Sequence, residues 1–139
     1  MSGSRSLARR CVLQALYQWQ IGGDSPAEVV RQFQEDRGLG RADRDYFLEL
    51  FTEVCERSEE LSAELTPYLD RPFDELDPVE RSVLWFGAQE LQRHLEIPYR
   101  VVINEAVDQA RLFGGEDGYK FVNAVLDKMA ATVRSVEKS

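Results

Sequence analysis

SRSLARRCVLQALYQW, residues 4–19, is the stretch from which the fold can be read. Leu7, Cys11, Ala15 and Trp19 recur every four residues with Val12 and Leu16 beside them, which is the period of a helix with one apolar side. Arg10, Gln14 and Tyr17, at i, i+4 and i+7, share an outer face of that helix. Arg5 and Arg9 lie one turn apart on a neighbouring strip. Arg5, Arg9 and Arg10 give the first twenty residues a charge of +3 with no acid. That leaves −11 on the other 119 residues of a chain whose formal net charge is −8.

Outward from this stretch, nearly every segment repeats the helical period. Gly22-Gly23 closes the first helix, and Ser25-Pro26-Ala27-Glu28 opens a short second one as a capping box with proline at the first helical position. Gly38 and Gly40 precede a third helix over about 42–57, whose buried stripe is Tyr46, Phe47, Leu50, Phe51 and Val54. A fourth piece runs through Leu61 and Leu65 and stops near Pro67. The stretch DRPFDELDPVERS reads as a joint, with Asp77 capping a fifth helix. This helix turns Val83, Leu84, Gly87, Ala88, Leu91 and Leu95 inward, and Pro98 ends it. A sixth carries Val102, Ile103, Ala106, Val107 and Ala110 as far as Phe113-Gly114-Gly115, and the last aligns Phe121, Val122, Val125, Leu126 and Met129 before a fraying tail from Ser135. No segment alternates with period two. The expected fold is all-α, about seven helices in two packed sub-bundles, forming a single domain over residues 1–139.

The bulk composition narrows the function classes. Hydrophobic residues at 43% and charged residues at 30% describe a soluble globular chain. No uncharged apolar run approaches the roughly 20 residues that span a bilayer. Arg9 and Arg10 interrupt any signal-peptide core, so a cytoplasmic protein is expected. Cys11 and Cys55 form no CxxC pair and read as reduced core thiols. The acidic balance argues against wholesale coating of nucleic acid but leaves room for a local basic patch, because salt screens surface charge beyond roughly 8–10 Å.

Catalysis finds little support. His94, the only histidine, has no neighbour at metal-ligand spacing and reads as a solvated residue at a polar helix end, so no metal or cofactor is expected. The serines lack a nucleophile elbow. The loop Gly114-Gly115-Glu116-Asp117-Gly118 is neither a Walker loop nor GxGxxG, and its acids would repel a phosphate. Binding fits better. Arginine forks suit phosphate oxygens and a tyrosine stacks on an unpaired base, so Arg10, Gln14 and Tyr17 suit single-stranded RNA. Spacing alone leaves open that these charges merely solvate the start of a helix.

RCVLQALYQWQ (10–20), DPVERSVL with QEL (77–84 and 89–91) and PYRVVINEAVDQARLFGGEDGYKFVNAVLDKM (98–129) together resemble the NusB family of bacterial transcription antitermination factors. The resemblance implies a seven-helix fold of two sub-bundles. It also implies pairing with NusE, a small-subunit ribosomal protein, and binding of the pair to boxA RNA in the antitermination complex of RNA polymerase. It implies neither a reaction nor a cofactor. Residue by residue, it assigns Arg5, Arg9, Arg10, Tyr17, Asp117, Lys120 and Phe121 to the RNA-facing area. Glu80 falls near the NusE-facing surface, and Tyr17 at the border between RNA and partner.

Two departures stand out. Ser6 and Leu7 interrupt the basic run, so RNA binding without the partner is expected to be modest. Trp85 replaces an arginine common in relatives and reads as core or subunit packing. Related helical modules occur fused to ribosomal-RNA cytosine methyltransferases, but this sequence contains neither a nucleotide-binding domain nor a catalytic cysteine motif. A stand-alone interaction module or homodimer that hides the RNA surface is the other reading.

Overall fold

Gly23 leaves the first helix with φ at +79°, a left-handed conformation that glycine takes without strain. In the computed structural model, which describes residues 2–37, 39–115 and 117–138, this helix is α1, Ser2–Gly22. Gly38 and Glu116 lie outside the described residues. Ser25 caps α2 (Pro26–Gln32) by accepting from the Glu28 amide, as its capping-box sequence predicts.

A π-helical turn, Phe33–Arg37, follows α2, and Gly40 takes φ +59° before Asp43 caps α3, Arg44–Leu65. The expected break between a third and a fourth helix does not occur. Arg57 bridges to Glu60 and Glu64 one and two turns ahead, so the polar stretch continues the helix to Leu65. Short 3₁₀ turns at Thr66–Tyr68 and Phe73–Glu75 lead to α4 (Pro78–Arg93), capped by Asp77. The remaining helices are α5 (Tyr99–Phe113), α6 (Gly118–Val133) and α7 (Ser135–Lys138). No strand occurs among the described residues, in keeping with the all-α expectation.

Helix α4 is the shared wall. It packs on α1 and α3 on one side and on α5 and α6 on the other, which joins the two expected sub-bundles. For that reason it is buried almost all round, from Ser82 to Leu91. Gly87 allows the close approach to α6, since a Cβ there would stand 2.7 Å from Leu126 Cδ1.

Beyond Arg93 the chain leaves the helix at His94, so Leu95 turns outward and Ile97 takes the inward place. Leu95 was expected inside by extending the helical period past the true end. Arg134 lies buried under that end and donates to the carbonyls of Glu90, Leu91, His94 and Ile97. It thus satisfies acceptors that a helix terminus leaves open.

The C-terminal segment does not fray from Ser135 as expected. Glu137 accepts from Arg134 and from the Tyr99 amide, and so caps α5, where Pro98 at the N-cap offers no side-chain acceptor. No helix among the described residues is long and apolar enough to cross a membrane.

Candidate functional site

Helix α1 packs against α3, α4 and α5, and its buried strip is wider than one apolar edge. Ala8, Val12, Leu13, Ala15 and Leu16 are buried, while Leu7, Cys11 and Trp19 are only partly so. Arg9 precedes Val12, Leu13 and Leu16 by three, four and seven residues, so it faces inward with them. This register separates the three arginines expected on one basic surface.

Arg9 is only 3% exposed. Its Nε donates to both carboxylate oxygens of Glu90, at 3.1 and 2.9 Å, and its Nη1 donates to Glu105 Oε1 at 2.9 Å. The Tyr46 hydroxyl also donates to Glu90, and Ser6 Oγ donates to Glu105 at 2.7 Å. Burial pushes the Glu90 carboxyl upward, against the opposing pull of Arg9 and of the Tyr46 hydrogen bond. Arg9 is therefore a buried ion-pair partner, because its own strip of α1 is the one that α3, α4 and α5 cover.

Arg5 lies partly exposed at the edge of this cluster. Its guanidinium sits 4.0 Å from the Tyr46 ring centroid and 4.0 Å from Asp43 Oδ2. Arg10 is exposed and has no ion pair among the described residues. Its spacing to Gln14 and Tyr17 keeps it on the outer face of α1. Of the three, Arg10 is the one whose guanidinium is free for a phosphate.

Along that face α1 forms one wall of an apolar groove of about 580 Å³. Leu13, Gln14, Tyr17 and Ile21 line it from α1, Val79 from α4 and Phe113 from the end of α5. Tyr17 is 43% exposed, and Ile21 and Phe113 are exposed too, which is unusual for large apolar side chains grouped together. The sequence reading missed Ile21, Val79 and Phe113 as groove residues. Phe113 stood in the FG motif but read only as a helix stop.

The groove runs into the α5–α6 turn. A Cβ on Gly114 would stand 3.8 Å from Val79 Cγ1, and one on Gly118 would stand 3.4 Å from Glu80 Oε2. Glu80 is partly buried there, and desolvation followed by the charge of Asp77 pushes its carboxyl upward. Asp117 and Lys120 are exposed and pair with each other at 3.3 Å. Asp117 occupies the N-cap position of α6 without a side-chain cap bond. Phe121 is half-buried under the Arg71 guanidinium, 4.9 Å from its ring centroid. Glu80 follows the groove residue Val79 on α4, while Tyr17 lies on the α1 wall and Arg9 on the opposite side of that helix.

Trp85 is buried, packed on Phe73 at 5.5 Å and on Trp19 at 6.0 Å between ring centroids, and its Nε1 donates to Ser62 Oγ. The packing expectation for Trp85 therefore holds, on the core side. His94 is 4% exposed, against the solvated position expected from its helix end. The Arg134 bond to its carbonyl and the T-shaped contact with Tyr46 hold it inside.

Comparison with known proteins places this architecture. The profile of the NusB family matches residues 6–131. The transcription antitermination protein NusB of Paraburkholderia phymatum is 48% identical over 134 residues, 96% of this chain and 92% of that one. That of Hahella chejuensis is 48% identical over 133 residues, 96% of this chain and 89% of that one. Among solved structures, T. maritima NusB superposes with a TM-score of 0.81 at 26% identity, covering 92% of this chain and 91% of that one. A crystal structure of the antitermination factors NusB and NusE in complex with dsRNA superposes with a TM-score of 0.75 at 27% identity, covering 93% of this chain and 97% of that one.

Proposed function

The chain belongs to the NusB family, and on that premise we propose that it is a transcription antitermination factor that binds boxA RNA together with NusE. It acts as a single RNA-binding domain in the cytoplasm, within the antitermination complex of RNA polymerase on ribosomal RNA operons. Its activity is binding rather than catalysis.

One observation carries this reading. The free guanidinium of Arg10 and the apolar groove that contains Tyr17 lie side by side on the outer face of α1. Arg10 and Gln14 offer donors to phosphate and base edges, with Lys120 and Phe121 beyond the α5–α6 turn. The groove, with Glu80 next in sequence to its lining residue Val79, offers an apolar and acidic seat to a basic ribosomal protein. Arg10 and Lys120 are the cations offered to the RNA, so affinity is modest alone, with a salt slope of roughly −1.4 for two contacts at about −0.7 each.

A titration of boxA RNA with and without NusE tests the proposal. NusE is expected to tighten RNA binding, and RNA to tighten NusE by the same factor, because coupling is reciprocal. Tyr17→Ala is expected to weaken NusE binding by about 2 kcal/mol, roughly thirtyfold, as for an aromatic anchor at an interface. Absence of RNA binding under both conditions would overturn the proposal. The exposed apolar groove also favours a second reading, in which another copy of the chain covers it as a homodimer. Sedimentation across concentration separates the two.

A further inference from the structure

The only histidine of the chain stands where two carboxylates from another helix converge on its ring. Glu49 and Glu53 lie one turn apart on α3, and His94 follows the last turn of α4. His94 Nε2 is 2.7 Å from Glu53 Oε1 and 3.8 Å from Glu49 Oε2. One nitrogen and two oxygens, all within 4.8 Å of one another, form the cluster.

The surroundings match what a bound metal requires beyond its first ligands. On the far side of the ring, Nδ1 faces Glu96 Oε2 at 3.5 Å, the carboxylate–histidine arrangement that orients a ligating imidazole. Gln89 Nε2 donates to Glu53 Oε1 at 3.1 Å and steadies that carboxylate. The ring itself is buried and stands nearly perpendicular to Tyr46, 5.6 Å between centroids. Glu49 is about half exposed, which leaves a solvent side where waters can complete the coordination. Neither Glu49 nor Glu53 pairs with an arginine or lysine among the described residues, so His94 is the cationic partner these two carboxylates have there.

We propose that Glu49, Glu53 and His94 form a binding site for a divalent transition-metal ion of the zinc type. Imidazole nitrogen with carboxylate oxygen suits such ions, whereas calcium takes six to eight oxygen ligands. Metal–ligand bonds of about 2.0–2.2 Å set tetrahedral ligands roughly 3.3 Å apart. The separations of 2.7 and 3.8 Å lie on either side of that value, within reach of carboxylate rotation. The ion would tie α3 to the end of α4, on the far side of the Arg9–Glu90 pair from the apolar groove. It forms part of neither the RNA edge nor the NusE seat.

Because the chain has a single histidine, one imidazole reports the test. Zinc chloride is titrated into the full chain and the ring nitrogens are followed by proton–nitrogen NMR. The expected result is saturation at about one equivalent with a shift of the His94 Nε2 resonance. Glu49→Gln, at a half-exposed position that leaves the fold intact, is expected to weaken binding by about tenfold or more, and Glu53→Gln likewise. His94 resonances that stay in place at about tenfold excess of zinc overturn the proposal, as does unchanged affinity in Glu49→Gln. RNA and NusE binding are measured separately, so neither result bears on the proposed function.

Discussion

Arg9 Nε lies 2.9 Å from Glu90 Oε2, and both side chains are buried where α1 crosses α4. The same guanidinium reaches Glu105 on α5, and the same carboxylate accepts from Tyr46 on α3. One ion pair therefore ties four helices together. It also removes from the surface an arginine that the sequence resemblance assigns to RNA.

Arg9→Met is expected to destabilise the fold by about 3–5 kcal/mol, since it leaves the Glu90 charge buried without a counter-ion. Combining it with Glu90→Leu is expected to restore most of that loss, because no buried charge remains. Urea denaturation of the two single variants and the double variant measures both effects. A double variant no more stable than Arg9→Met would show that the hydrogen bonds to Tyr46 and Glu105 matter more than charge.

Arg10→Ala is expected to behave in the opposite way. Its stability should stay within about 0.5 kcal/mol of the parent, as for an exposed side chain with no ion pair among the described residues. Its RNA binding should lose about 0.7 from the magnitude of the salt slope, the share of one phosphate contact on single-stranded RNA. Fluorescence anisotropy over a range of salt concentrations checks this. Equal slopes in parent and variant would remove Arg10 from the interface.

Alkaline pH should erode stability through Cys55. Burial first, and the charge of Glu56 second, push its thiol up to about 12. In the unfolded chain a thiol ionises near about 8.5. Between about pH 8.5 and 12 the unfolded state thus holds fewer protons than the folded one, and stability falls as pH rises. Tyr46 is shifted in the same direction by burial and Glu90. Cys55→Ala is expected to flatten the decline, which thermal unfolding across that range measures.

Asp77→Ala is expected to cost about 1 kcal/mol, because the Asp77 side chain accepts from the Glu80 amide at 2.8 Å and caps α4. Asp77→Asn should recover most of it. Val79 and Glu80 occupy the turn that this cap holds, so Asp77→Ala should also weaken NusE binding beyond what the stability loss alone explains. Calorimetric titration with NusE checks the second effect.

The caps and apolar periods were legible in the sequence because they are local. Ser25, Asp77 and Gly23 act within four residues of themselves, and each appears where its sequence context predicts. The 3.6-residue period likewise places Arg10, Gln14 and Tyr17 together whatever else the chain does. The continuity of α3 escaped this reading, because ion pairs from Arg57 carry the helix across a stretch without an apolar stripe.

Which faces are covered is a different matter, settled by elements far apart in sequence. Arg9 and Glu90 are 81 residues apart, and nothing near Arg9 in sequence announces a buried carboxylate. His94 reads as a surface residue until α3 brings Glu53 against it from 41 residues away. The groove exists only because α1, the start of α4 and the end of α5 meet at Tyr17, Val79 and Phe113. The sequence by itself determined most of the helical segments, their N-terminal caps and the family. Tertiary structure decided which arginine is free, which is locked inside and where the apolar groove opens, because burial depends on what packs against a face and not on its period.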